Sequence, residues 1–166
     1  MSNFLDRIKE RAKMDKKTIV LAEGEDLRTV QAAEMILKEG IANIILLGNK
    51  EKIAELSMGL DISEAQILDP VTDEKRQEFA DAFYEMRKAK GMTPEKAYEI
   101  MQDPLYFGVM MVKQGLADGQ VAGAVNSTSN VLRPCLQILK TAPGTKLVSA
   151  FFVMVVPDCE FGHNGT

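Results

Sequence analysis

The segment of this sequence richest in usable chemistry lies between Gly115 and Pro134. There a glycine-spaced apolar stretch containing Asp118, Gly119 and Gly123 empties into Asn126-Ser127-Thr128-Ser129-Asn130, and Arg133 follows. Gly119 and Gly123 let a neighbouring backbone or a ligand approach closely. Ser127, Thr128 and Ser129 supply hydroxyls and backbone N–H groups at the start of a helix, where the dipole favours negative charge. Arg133 adds a fixed cation whose planar fork suits a phosphate. Together these groups form a candidate anion cradle at the carboxyl end of a strand, where open α/β sheets bind ligands. The plainer reading is a loop that only caps its helix, with Arg133 a solvated charge, and composition alone leans that way. No GxGxxG and no GxxxxGK[ST] occurs, so neither a dinucleotide fingerprint nor a P-loop is indicated.

The rest of the composition narrows the possible partners. The 166 residues are 46% hydrophobic and 27% charged, with a net charge of −4, which argues against a general nucleic-acid binder. The longest apolar run, Leu147 to Pro157, is too short to span a bilayer. Asp6, Arg7, Lys9 and Glu10 interrupt the N-terminal residues, unlike a secretion signal, so a cytoplasmic location is expected. Cys135 and Cys159 have no metal-ligand spacing, and His163 is the one histidine. No metal site is assigned, and both thiols are expected to be reduced.

The elements that must hold the cradle read as alternating strands and helices. Ser2 can cap a short amphipathic helix with Leu5, Ile8 and Ala12 on one face. Thr18–Ala22 is a buried strand, Glu23 to Asp26 a turn, and Asp26 the cap of a helix running to Lys38 and ended by Gly40. Leu27, Val30, Ala33 and Leu37 form its expected inner stripe. Asn43–Leu47 is a second strand, Lys50–Leu56 a helix and Ala65–Leu68 a third strand. A helix is expected over 72–90 with Phe79, Phe83 and Met86 inward, and Thr93-Pro94 opens another. Pro104 precedes a helix carrying Phe107, Met110 and Met111. Gln120–Val125 reads as a strand, 126–130 as a polar loop and Val131–Lys140 as a helix. This alternation predicts an α/β fold, a mainly parallel sheet flanked by helices.

The final stretch has another character. Only seven of the 44 charged residues lie beyond Pro104, and Leu147–Val156 is apolar nearly throughout. Such a run fits a parallel strand buried on both faces, which needs neighbours on each side. Only ten residues follow Val156, so either a partner or further chain is expected to cover it.

These segments also carry a resemblance. The Gly-x-Ala-Asp118-Gly119-x-Val-x-Gly123-Ala run, its Ser/Thr loop and Val131-Leu132-Arg133-Pro134 resemble the phosphate acetyl/butyryl transferase family. Leu21-Ala22-Glu23-Gly24-Glu25-Asp26 with Arg28 is similar to that family's first strand–turn–helix, with Ala22 where proline is usual. Met86-Arg87-Lys88 with Lys90-Gly91-Met92, and Pro157-Asp158-Cys159-Glu160-Phe161-Gly162, resemble two further family segments in the same order. The likeness runs the length of the chain.

The resemblance implies two α/β domains facing across a cleft, of isocitrate dehydrogenase-like architecture. Residues 1–144 would make most of the first, and 145–166 would begin the second. It implies exchange of acetyl between phosphate and coenzyme A, both substrates, with no separate cofactor, in a cytoplasmic homodimer without nucleic-acid or membrane partners. Arg87 and Arg133 match family arginines implicated in substrate binding, and Ser127, Thr128 and Ser129 match the loop lining the cleft. The family's catalytic aspartate, with its neighbouring serine and arginine, would lie beyond Thr166, so little transferase activity is expected of these residues alone. Asp118 is read as a turn residue and Cys135 as an inert thiol. Phosphate butyryl transfer, a regulatory acetyl-CoA-binding module such as ends some malic enzymes, and a non-catalytic anion binder stand as alternatives. The start of the chain, directly at the first element, counts against the regulatory module.

Overall fold

Two opposite faces of one parallel sheet carry the core of the protein, and the sequence alternation of its strands sets them apart. The computed structural model describes residues 4–156. Strands β1 (Lys17–Leu21), β2 (Ala42–Leu47), β3 (Gln66–Leu68) and β4 (Gly119–Val121) are all parallel, in the order β3-β2-β1-β4. Successive side chains of a strand point to opposite faces. Val20, Ile45 and Leu47 therefore join one core cluster, while Leu21, Ile44 and Leu46 join the other. The α/β sandwich expected from the alternation is what forms, with helices covering both faces.

On one face lie α2 (Leu27–Glu39) and α3 (Lys50–Leu56), contributing Val30, Ala33 and Ile53. Asp26 caps α2 by accepting from the Arg28 N–H, and Gly40 closes it in the left-handed conformation at φ 69°. The other face is built by α4 (Arg76–Arg87), α5 (Pro94–Ile100), α6 (Pro104–Lys113) and α7 (Thr128–Ile138). Here Phe79, Phe83 and Phe107 are fully buried, and the Phe79 and Phe107 rings meet at 4.9 Å. Gly108 of α6 sits so near the sheet that a Cβ there would stand 2.9 Å from Val20 and closer still to Gln120. The absence of a side chain brings α6, and with it Tyr106, down onto β1 and β4.

Several expected boundaries move, each for a local reason. The long helix begins at Arg76 instead of Thr72, because Asp69 and Asp73 turn their carboxylates onto the N–H groups of Val71 and Lys75. Its last turn, Lys88–Lys90, tightens to a 3-10 helix ended by Gly91. Arg76 itself is buried, donating to the carbonyls of Val71 and Tyr98 and stacking 3.7 Å from the Tyr98 ring. The fourth strand stops at Val121, four residues short of the expected Val125, and α7 starts at Thr128, three before the expected Val131. Leu27, expected on the inner stripe of α2, is 46% exposed, and Leu5 and Ile8 on the shared apolar face of the first helix are 52% and 47% exposed. The first helix, α1 (Phe4–Met14), buries no residue and is tied to α2 by the Lys9–Glu39 ion pair at 2.7 Å.

The largest departure is the apolar run at 147–156. It forms no strand; residues 147–156 are exposed, with Phe151 at 86% and Phe152 at 93%. A strand of this composition forms only where neighbours cover both faces, and residues 147–156 join neither core cluster.

Candidate active site

The sheet order places a topological switch between β1 and β4. The chain leaves β1 toward β2 on one side and returns to β4 on the other. At such a point the loops after the two strands splay apart and leave a crevice for a ligand. In this protein the crevice at the carboxyl ends of β1 and β4 is filled from within. The Glu23 carboxylate, just past β1, accepts four consecutive backbone N–H groups of the β4–α7 loop. Oε2 takes those of Gly123 at 2.8 Å and Ala124 at 2.6 Å. Oε1 takes those of Val125 at 3.0 Å and Asn126 at 2.8 Å, and also the Asn126 side-chain amide at 2.9 Å.

A run of backbone N–H groups turned inward is an anion-binding concavity, and Gly123, at φ +116°, supplies the backbone conformation for it. This capture also explains the early end of β4. The N–H groups that would continue the ladder against β1 are turned instead onto Glu23. From the first turn of α2, Arg28 Nη2 donates to the Ala124 carbonyl at 2.7 Å while Arg28 and Asp26 pair through two contacts at 3.0 Å. The loop is thus held through its donors by one side chain and through an acceptor by another.

Its outcome is a fixed start for α7. Ser127 is the N-cap, its hydroxyl accepting from the Asn130 N–H at 3.3 Å. Thr128, Ser129 and Asn130 occupy the exposed first turn, where the free N–H groups of a helix point outward. Arg133 lies exposed on the same helix, and no ion pair engages it among the described residues. Arg87 lies at the end of α4, and Arg133, Asp103 and Arg87 all act electrostatically on the Tyr106 hydroxyl. Burial pushes the Tyr106 hydroxyl pKa up; Arg133 opposes it, the Asp103 carboxylate adds to it, and Arg87 opposes it less. Tyr106 donates to Gln137 Oε1 of α7 at 3.1 Å and meets Phe83 of α4 edge-on at 5.7 Å, so it braces the helices that carry the two arginines. Among the described residues the buried Arg87 Nε has no hydrogen-bond partner, so none of them compensates its desolvation. Ser127, Thr128, Ser129 and Arg133 thus share the start of α7, while Arg87 stands on a different helix, at the end of α4.

Comparison with known proteins places this geometry. The phosphate acetyl/butaryl transferase family model matches residues 3–164. The chain belongs to that family. It is 62% identical to the phosphate acetyltransferase of Acetivibrio thermocellus over 99% of its own length and 49% of that protein. With the phosphate acetyltransferase of Thermoanaerobacterium thermosaccharolyticum it shares 55% identity over 98% and 50% of the two chains. Among solved structures it is similar to the EutD phosphotransacetylase of Staphylococcus aureus, with a TM-score of 0.85 and 38% identity, covering 93% of this chain and 47% of that one. The chain spans about half the length of the curated relatives it matches.

The remaining sequence candidates of this phosphate acetyl/butaryl transferase chain resolve into structural parts. Asp118 bonds Thr18 twice at 2.8 Å, through its carboxylate to the N–H and through its own N–H to the carbonyl, aligning β4 with β1. Cys135 is half-buried, its thiol directed at the Val131 carbonyl at 3.4 Å, and burial pushes its pKa up, away from a reactive thiolate. Gly119 has no crowding closer than 3.5 Å, so the close approach expected of it falls to Gly24 and Gly108. Cys159 and His163 lie outside the described residues. Among those described, no group of His, Cys, Asp or Glu could hold a metal ion, and no helix is long and apolar enough to cross a membrane. A cavity of about 690 Å3 opens beside the clamp, over the carboxyl ends of β1, β2 and β3, floored by Leu47, Val71 and Pro104. Of its carboxylates, Glu25 is already engaged by Lys52 and the Asn49 N–H, both at 2.9 Å.

In the sequence Glu23 reads as a turn residue, and its partners lie about a hundred residues later. Burial alone would push its carboxyl upward, but the Asn126, Val125 and Ala124 donors outweigh that and hold it at about 2 against an ordinary 4.5. A carboxyl depressed in the folded state stabilises the fold fully above its unfolded value and loses that contribution as pH falls through the folded one. Titrating chemical denaturation from pH 6 downward is therefore expected to show stability declining from about pH 4.5 toward 2. The Glu23→Gln variant should decline less over that window; an identical decline would remove Glu23 as its source.

Proposed function

We propose that this chain is the phosphate-binding half of a phosphate acetyltransferase, interconverting acetyl phosphate plus coenzyme A with acetyl-CoA plus inorganic phosphate. The observation that supports the proposal is the exposed start of α7, which holds Ser127, Thr128, Ser129 and Arg133 together; Arg87 at the end of α4 is added by the family resemblance. Two cations with no carboxylate partner among the described residues, one with a buried unpaired N–H, suit a dianion of phosphate size. The acetyl preference rests on the relatives' names.

In this reading the coenzyme A thiol loses its proton to a base and attacks the acetyl carbonyl as thiolate. Arg87 and Arg133 bind the phosphate that leaves, and the Ser127, Thr128 and Ser129 groups hold its remaining oxygens against the positive end of α7. By the family resemblance the base is expected beyond Thr166; of the groups here, Cys135 is directed at the Val131 carbonyl and Asp118 at Thr18. Residues 1–144 form most of a first domain, and 145–166 lead into a second that faces it across the cleft, as in isocitrate dehydrogenase-like proteins. The exposed run 147–156 supports that division, because its apolar side chains need a cover that the first domain does not provide. A cytoplasmic homodimer completes the proposal.

Titration with inorganic phosphate, followed by amide chemical shifts, tests the binding half directly. Saturable shifts are expected at Ser127, Thr128, Ser129 and Asn130 in the native chain, and about tenfold weaker binding in Arg133→Gln, in line with the loss of one charge-assisted phosphate contact. Shifts spread evenly over surface lysines, indifferent to Arg133, would refute it.

A further inference from the structure

Glu23 occupies the place where an open α/β sheet would offer its crevice to a ligand, and it does so as an anion in a built anion site. Five donors converge on one carboxylate, four of them successive backbone N–H groups from residues about a hundred positions away. The loop they belong to is otherwise exposed at Gly123, Ala124 and Val125 and has no sheet neighbour to fix it. The residue that ends this loop, Ser127, is the cap of α7, and α7 carries Thr128, Ser129 and Arg133. The position of the phosphate-binding groups therefore follows from the conformation of 123–126.

We propose that Glu23 is a positioning residue: its carboxylate, acting as an internal anion, sets the 123–126 backbone and thereby the register of Ser127, Thr128, Ser129 and Arg133 toward the substrate phosphate. The proposal rests on the transferase reading above. Only a carboxylate satisfies the geometry. Glutamine would replace an oxygen that accepts two N–H groups with an NH2 facing them, donor against donor. Aspartate is one methylene too short to take both pairs. The Arg28 contact to the Ala124 carbonyl cannot substitute, because it restrains an acceptor and leaves the four donors free.

The test uses the chain carried to the length of its relatives, assayed for thioester formation from coenzyme A and acetyl phosphate. Glu23→Gln should lower kcat/KM by about 100-fold, the scale set by misplacing a binding group by roughly an ångström. At least tenfold of that loss should appear as a raised KM for acetyl phosphate. In Glu23→Ala the vacated nest should accept added formate and recover activity, whereas formate should not stimulate the native enzyme. A residue that merely stabilised the fold would reduce the amount of active enzyme and leave KM unchanged, and that result overturns the proposal. Should both variants fail to fold, hydrogen exchange of the native protein decides. Protection at the four amides of 123–126, in an exposed loop, is expected, and exchange at unstructured rates overturns the clamp. An inactive native enzyme with protected amides would instead sink the transferase reading and leave the clamp standing.

Discussion

Replacing Phe107 by alanine is expected to cost about 3–5 kcal/mol of folding stability, the range for deleting a large buried aromatic. Phe107 is fully buried on α6, its ring 4.9 Å from that of Phe79 on α4, inside the cluster that joins β1 and β2 to the helices of one face. The neighbours cannot close the gap easily. Gly108, the next residue, already presses α6 against Val20 and Gln120, so the helix has no room to settle further toward the sheet. Against a domain stability of roughly 5–15 kcal/mol, such a loss removes much of the margin. Urea unfolding followed by circular dichroism measures it, and a change under about 1 kcal/mol would mean that the α4–α6 contact is not the centre of this core. Phe151→Ala supplies the contrast: at 86% exposure its ring has no packing to lose, and the change should stay within about 0.5 kcal/mol.

Much of this architecture could be read along the chain because the information was local. Asp26 and Gly40 bound α2 by side-chain capping and a left-handed turn within a few residues of the helix, and Asn49 starts α3 in the same way. The strands β1 and β2 show their burial in their own composition. What escaped was set at long range. Nothing near Gln120–Val125 shows that its N–H groups turn onto Glu23, a partner about a hundred residues earlier, so an apolar run was extended as strand past its true end. Four successive residues, Ser127 to Asn130, are all good helix caps, which leaves the first turn of α7 ambiguous until the clamp selects Ser127. Tyr106 gave no sequence signal because its role depends on α4 and α7 converging. The apolar run at 147–156 reads as a buried strand since composition reports what a segment needs, whereas the described residues supply no cover for it.

Among the site residues the motif located Ser127, Thr128, Ser129 and Arg133 together, since they share one helix start. Arg87 came from a segment some forty residues earlier, joined to them only by resemblance. Arg87 and Arg133, on different helices, both influence the Tyr106 phenol, as Asp103 does with opposite sign, and the buried Nε of Arg87 has no acceptor among the described residues. In the proposed reading a bound phosphate pairs with both charges. Each arginine should then matter more for the phosphate-bearing substrate than for folding. Arg87→Gln and Arg133→Gln keep a polar side chain of similar length, remove the charge, and break no ion pair among the described residues.

The measurement that bears most directly on the central claim is thioester formation from coenzyme A and acetyl phosphate by the chain carried to its relatives' length. It should be made on the native sequence and on Arg87→Gln and Arg133→Gln. We expect activity in the native sequence and a fall in kcat/KM of about 100-fold or more in each variant, the scale of losing a charged group that binds the departing phosphate. Variants as active as the native enzyme, or a native enzyme that makes no thioester, would contradict the account.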